Sequence, residues 1–360
     1  MRKNLRAWVK IARARLPDVV KQAILDRFPD PNDALLVDLS ELSGTARKAF
    51  APGMTLESHA DPAAVDKDCS WLGGGERCVI GISEADYPAL LRQISDPPLV
   101  LYTAGDHSLL ACHGLAIVGS RNPTPIGREI AHGIARQLSA GGAVVVSGLA
   151  TGIDGAAHYG ALEARGSTVA VCATGLDLVY PRCHTALADR ICRDGLLISE
   201  YPPGTGVRRY HFPHRNRLIS GLTLGTLIVE AASRSGSLIT ARLAAEQGRD
   251  VFAVPGSIHS PLSRGPHLLI RDGARLVESI NDIYAELPAL GHAGLNENRS
   301  PEPVIERALL LEAVDYVPTT LDQIIERSGL TITEICAMLI QKELLGEVRS
   351  CPGGYIRTVA

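Results

Sequence analysis

A doubly wound, mostly parallel α/β domain is predicted for residues 115–278, and three observations predict it. Short apolar, β-branched runs recur at Leu115–Val118, Ala143–Val146, Thr168–Cys172, Leu196–Ile198, Leu224–Val229, Asp250–Val254 and Ala274–Val277. Helix-like stretches such as Gly127–Ala140, Asp154–Ala164 and Ser237–Glu246 lie between most of them. Glycines, hydroxyls and a few charges follow the runs, as loops at strand ends require. Strands without polar alternation are buried on both faces, so helices must cover both sides of the sheet. Strand–helix alternation makes neighbouring strands parallel, joined by right-handed crossovers.

The flanks read differently. Residues 1–60 are predicted to be short helices separated by Pro17, Pro29-Asp30-Pro31 and Gly44, a small helical module. A joining region follows, with Gly73-Gly74-Gly75 as a break and a strand-like run at Leu99–Thr103. The polar, Gly- and Pro-bearing stretch 291–303 reads as a linker. Beyond it, Val304–Val314, Leu321–Arg327 and Thr333–Leu344 are predicted helices, and Val348–Arg357 a hairpin broken at Pro352-Gly353-Gly354. Three helices and a hairpin make a winged-helix pattern over residues 304–360. Its charge is unusual for a DNA reader: five Lys/Arg against eight Asp/Glu from Pro303 onward, a difference of −3. A helix that tracks phosphates should be basic, so this module is expected to serve protein interaction or structure.

At 360 residues, 46% apolar and 21% charged, the chain has the composition of a soluble globular protein. It shows no apolar run near the ~18 residues that span a bilayer. The start, with Leu5, Trp8, Val9, Ala12 and Leu16 at helical spacing among charges, is not a signal peptide, and a cytoplasmic location is expected. The eight cysteines form no CxxC pair, so reduced thiols and no structural metal are expected. A net charge of −3 argues against a generally basic coat protein. It leaves room for a local basic groove.

In an open parallel sheet, ligands bind beyond the carboxyl ends of the strands. Gly119-Ser120-Arg121-Asn122-Pro123-Thr124 follows the first strand and opens a helix. Ser147-Gly148 ends the second, ahead of Thr151-Gly152-Ile153-Asp154, and Ser199-Glu200 and Glu230-Ala231 end later ones. Glycine lets amides approach a ligand and a helix start offers free N–H groups. Ser120 and Thr124 can donate to phosphate oxygens, and Arg121 can bind one bidentately. Tight βα turns would use several of the same glycines. No GxxxxGK[ST] loop and no GxGxxG fingerprint occurs, so no nucleotide cofactor is expected. A mononucleotide or a nucleic-acid backbone remains.

The segment Arg208–Arg217 separates those two, with four arginines in ten residues, no acid, and Phe212 among them. Cations for phosphates beside a ring for base stacking are what single-stranded nucleic acid needs. Phe212 could equally be a core residue before a helix, and Arg215 and Asn216 could cap or pack that helix. Asp154, Glu200 and Glu230 could serve as acids or bases, but no nucleophile with an accompanying base is evident. Asp154 and His158, four apart, share a helix face and are expected to form a structural pair.

Together these motifs resemble the DNA-processing protein A family (DprA, also called Smf). They run Ile117–Arg121, Val146–Asp154 with Ala157-His158, Leu178–Pro181, Ser199–Gly204, Phe212–Arg217, Glu230-Ala231 with Ser235–Ala241, and Arg249–Gly256. The resemblance implies an extended Rossmann-like DNA-binding domain over residues 75–290, between a SAM or helix-hairpin-helix-like module and a winged helix. It implies a non-enzymatic, homodimeric protein that binds single-stranded DNA. Such a protein protects incoming DNA and helps load the RecA recombinase in natural transformation. The family's DNA contacts carry over to Gly119, Ser120, Arg121 and Phe212, and its usual lysine three before that aromatic is Arg209 here. Asn122, Thr124, Ser147, Gly148, Arg208, Arg215 and Asn216 complete the expected DNA-binding set. The alternative is a nucleoside-monophosphate hydrolase on a related core, with Glu230 or Asp154 as the acid. The PGGxGTxxE run of cytokinin-activating enzymes is absent.

Overall fold

The computed structural model describes residues 4–41, 53–164, 168–291, 313–315, 319–328, 348–351 and 353–357, with 332, 335, 339 and 343 as single positions. The chain divides into two compact units, Met1–Gly294 and Leu295–Ala360.

The first unit opens with helices α1 (Leu5–Arg13), α2 (Asp18–Arg27), α3 (Pro31–Leu36) and α4 (Pro62–Leu72). Asp30 and Asp61 each accept from the backbone N–H two residues on, with proline at the first helical position, so α3 and α4 start where they do. These helices bury their apolar sides on the edge of the sheet rather than on one another alone. Trp8 is fully buried and lies against Gly81, where a Cβ would stand 1.9 Å from the indole. Arg13 donates to buried Asp68 (2.7 Å), which also accepts from the Tyr102 hydroxyl (3.2 Å). The helical start therefore shares one core with the sheet.

That sheet has nine strands among the described residues: β1 (Arg77–Gly81), β2 (Val100–Gly105), β3 (Gly114–Val118), β4 (Val144–Ser147), β5 (Thr168–Val171), β6 (Leu196–Ser199), β7 (Gly225–Ile228), β8 (Asp250–Ala253) and β9 (Arg275–Leu276). Their order is β1-β2-β6-β5-β4-β3-β7-β8-β9. All seven predicted central strands are present and pair in parallel as β3 to β9. The run at Leu99–Thr103 is β2, and with the unanticipated β1 it adds an antiparallel edge onto β6. Helices α5 (Ala89–Arg92), α6 (Pro125–Ala140), α7 (Ile153–Glu163), α8 (Thr185–Asp194), α9 (His211–Gly221), α10 (Ser237–Glu246), α11 (Arg264–Arg271) and α12 (Ile280–Glu286) accompany the strands. Chain order runs outward from β3 through β4, β5 and β6, then returns to β7 on the other side of β3. Two core clusters flank this doubly wound sheet. The topological switch point, where such folds bind ligands, thus lies between β3 and β7.

In the second unit, α13 (Leu321–Ser328) and the hairpin β10 (Val348–Cys351) with β11 (Gly354–Arg357) surround a core of Ala313, Val314, Ile324, Ile335, Leu339 and Val348. The predicted second helix and hairpin are present. Residues 304–312 of the predicted first helix and all but single positions of the third lie outside the described residues, as does 292–303 of the predicted linker.

His158 shows how the core constrains titration. It is fully buried on α7, and its Nδ1 lies 2.8 Å from the Thr168 hydroxyl, which itself donates to the Val145 carbonyl. Thr168 must therefore accept from His158, leaving Nε2 buried without a partner. Burial, then the charges of His184 and Arg215, push the imidazole down to about 3 from 6.5. Below pH 6.5 the unfolded chain takes up a proton that the folded chain refuses, so this stabilisation is lost as pH falls. The loss amounts to about 2 kcal/mol between pH 6.5 and 5. Urea midpoints at the two pH values are expected to diverge less in His158→Gln than in the parent. An unchanged divergence would refute the assignment. The expected Asp154–His158 pair is absent, because Asp154 turns to the Gly148 and Ala150 amides instead.

Candidate nucleic-acid interface

The loop after β3 is held rigidly against its neighbours. The Ser120 N–H donates to the Glu230 carbonyl at 2.6 Å, tying the ends of β3 and β7 together. Gly119 has no room for a side chain, since a Cβ would meet Ile153 at 2.7 Å. Gly152, at φ +83°, would place a Cβ 2.3 Å from the Ser120 carbonyl. These glycines bring the β4–α7 loop against the β3 loop, and Arg121 and Asn122 are left exposed at its tip. The Asn122 N–H donates to the Ser120 hydroxyl at 3.1 Å, keeping that oxygen at the rim.

Three side chains meet there, two from strand-end loops and one from the first turn of α9. The Arg121 guanidinium carbon lies 5.6 Å from the centroid of the half-buried Phe212 ring. The Tyr180 ring meets Phe212 edge-on, with centroids 5.4 Å apart and planes at 62°. Tyr180 is 45% exposed, so this aromatic remains accessible from solvent. Phe212 is positioned because His211, next to it in the first turn of α9, is buried with its Nδ1 3.0 Å from the Ala173 carbonyl. The sequence marked Phe212 through its arginine neighbours but gave Tyr180 no role. Its signals were its place in the Leu178–Pro181 motif and an aromatic beside proline in a chain where aromatics are 4%.

Charge at this rim is set by pairing, not by composition. Arg121, Asn122, Arg182, Arg208 and Arg209 are exposed on loops after β3, β5 and β6. Among the described residues none of the four arginines has a carboxylate partner; Arg208 donates to the Tyr210 hydroxyl at 2.8 Å. The acids of the same edge are consumed internally. Asp177 accepts from the Gly204 N–H at 2.8 Å. Glu200 accepts from Arg217 at 2.6 Å and faces His214 at 3.0 Å, and Arg217 also reaches Asp96 at 2.9 Å. Burial alone would raise Glu200, but hydrogen bonding with His214 and the charge of Arg217 outweigh it, holding the carboxyl below its ordinary range. A chain of net charge −3 thus presents a cationic, aromatic rim.

Four residues expected to meet DNA are turned inward. The Ser147 hydroxyl is fully buried and donates to the Ile117 carbonyl at 2.6 Å. Gly148 is buried, its N–H given to Asp154 (3.1 Å) and its carbonyl to Arg215 (2.7 Å). Arg215, 4% exposed, also donates to the Val171 carbonyl, so it ties strand ends together. The Thr124 hydroxyl caps α6, accepting from the Gly127 N–H (3.0 Å) and donating to Glu230 (2.6 Å). Asn216 is half-buried on α9. Among the described residues no His, Cys, Asp and Glu group could hold a metal, and no helix is long and apolar enough to cross a membrane.

Comparison with known proteins matches two family models, DNA recombination-mediator protein A over residues 78–288 and the DprA winged helix domain over residues 297–354. Protein Smf of Escherichia coli (strain K12) is 39% identical over 302 residues, covering 82% of this chain and 81% of that protein. DNA processing protein DprA of Bacillus subtilis (strain 168) is 47% identical over 210 residues, 58% of this chain and 71% of that one. Among solved structures, DNA processing protein A from Streptococcus pneumoniae superposes with a TM-score of 0.68 at 36% identity, covering 79% of this chain and 99% of that chain. DNA processing protein A from Helicobacter pylori, whose structure is described as giving insight into a single-stranded DNA binding mode, matches at 31% identity and a TM-score of 0.55. That match covers 59% of this chain and 96% of that one.

Proposed function

The chain belongs to the DNA recombination-mediator protein A family, and from that premise we propose that it binds single-stranded DNA along the Arg121–Phe212 rim. The observation that carries the reading is the meeting of Arg121 and Tyr180, from two strand-end loops, with Phe212 from the first turn of α9. Arginine supplies phosphate contacts, and the rings supply stacking that every base can use. Gly119, Ser120 and Asn122 shape the loop, and Arg208, Arg209 and Asn216 extend the track. Mobility shifts with single- and double-stranded oligonucleotides of equal length are expected to favour the single strand. In Arg121→Ala/Arg209→Ala, log affinity is expected to fall less steeply with log salt, by about 0.7 per lost contact or about 1.4 for the pair. An unchanged slope and affinity would remove both residues from the track.

The same reading makes the protein a cytoplasmic, homodimeric mediator that protects incoming DNA and helps RecA assemble on it during natural transformation. Light scattering tests the dimer. Recombinase filament growth on strands already coated with single-stranded DNA-binding protein tests the loading. The role is non-catalytic. Three carboxylates available for acid–base work are committed to Thr124, Arg217 and loop amides, which weighs against a nucleotide hydrolase. Release of free base from nucleoside monophosphates, abolished by Glu230→Ala, would reverse that preference.

A further inference from the structure

In folds with this strand order, the crevice between β3 and β7 is where a nucleotide phosphate is held, against the amides that open the helix after the first parallel strand. Here the chain's own carboxylate fills that place. One carboxylate oxygen of Glu230 accepts from the Thr124 N–H at 2.8 Å and the other from the Thr124 hydroxyl at 2.6 Å. Gly127, in the first turn of α6, makes the room: a Cβ there would stand 2.4 Å from the Glu230 carboxyl carbon. The Glu230 backbone is fixed as well, through the bond from Ser120 N–H. A carboxylate receiving two hydrogen bonds at the start of a sixteen-residue helix supplies the charge and acceptors that a phosphate would bring. A second anion would meet a like charge and no space.

We propose that Glu230 is a built-in phosphate mimic, a specificity-determining residue that closes the switch-point crevice to mononucleotides and to 5′-terminal phosphates. The exclusion of mononucleotides stands apart from the DNA reading. Taken together with that reading, which it then rests on, it confines DNA phosphates to the outer rim at Arg121 and makes binding indifferent to strand ends.

The test titrates inorganic phosphate and dAMP calorimetrically into the parent, Glu230→Ala and Glu230→Gln, with thermal melts in parallel. No saturable binding is expected in the parent. Glu230→Ala is expected to gain affinity for phosphate on the order of tenfold or more, with a phosphate-dependent rise in Tm that the parent lacks. Glu230→Gln, whose carboxamide still fills the crevice, is expected to gain less than Glu230→Ala. Equal phosphate and dAMP binding in the parent and Glu230→Ala overturns the proposal, as does saturable dAMP binding to the parent alone. If Glu230→Ala does not fold, Glu230→Ser, whose hydroxyl offers Thr124 a partner, takes its place with the same expected gain. Parent binding to 5′-phosphorylated and 5′-hydroxyl dT oligonucleotides is expected to be equal. Failure of both to bind refutes the DNA reading, whereas a several-fold preference for the phosphorylated strand refutes only the closure by Glu230.

Discussion

Arg215→Ala is expected to lower the stability of the first unit by about 3–5 kcal/mol, the usual cost of removing one member of a buried, hydrogen-bonded charge constellation. The guanidinium donates to the carbonyls of Gly148 and Val171, at the ends of adjacent strands β4 and β5. A Cβ on Gly148 would stand 2.5 Å from it. Burial depresses the Arg215 pKa, countered by attraction to Asp154 and Cys172. Its loss leaves two unpaired carbonyls, a void, and a buried Asp154 whose carboxyl burial already raises. Arg215→Met restores volume but not the bonds and is expected to recover only part of the loss. The two tryptophans, Trp8 and Trp71, both lie in this unit, so fluorescence during urea unfolding reports on it specifically. A shifted midpoint at constant slope is the expected signature. An Arg215→Ala protein as stable as the parent but weak on DNA would make Arg215 a ligand contact after all.

Removal of the rim aromatics should act on DNA and leave folding nearly untouched. Phe212→Ala is expected to weaken single-stranded DNA by about 5-fold to 150-fold, the range set by about 1–3 kcal/mol for one stacked base. Tyr180 makes a separable case because its hydroxyl is not needed for stacking. Tyr180→Phe is expected to bind as the parent does, while Tyr180→Leu, apolar but without a ring, loses affinity in the same range. An oligonucleotide carrying abasic positions should be insensitive to either loss, since no base remains to stack. If abasic and intact strands suffer equally, the rings support the loop and the stacking assignment fails.

Much of the fold was legible because its signals are local. A strand buried on both faces must be continuously apolar, as Val144–Val146 and Leu196–Ile198 are, and the seven central strands follow. The edge strand β1 was missed because its five residues, Arg77–Gly81, carry only a short apolar centre after a glycine run. Its pairing depends on β2, far along the chain. The union of helices 5–72 with the sheet was likewise invisible, since Trp8 and Gly81 acquire meaning only when they touch.

The site divides along the same line. By itself the sequence determined where the loops fall, that Arg121 sits on a strand-end loop with Phe212 in the arginine-rich loop-and-helix segment after β6, and that no standard nucleotide fingerprint is present. Those facts depend on residue type and on spacing along one segment. It could not tell exposed arginines from buried ones: Arg208, Arg209, Arg215 and Arg217 lie within ten residues, yet the first two face solvent and the last two are committed to strand carbonyls and to Glu200 with Asp96. Helix rotation and the carbonyls presented by β4 and β5 decide that. Nor could it reveal that Glu230, 106 residues from Thr124, occupies the helix start that follows Gly119-Ser120-Arg121. A charge acts through the distance to its partner, and only the tertiary structure sets that distance.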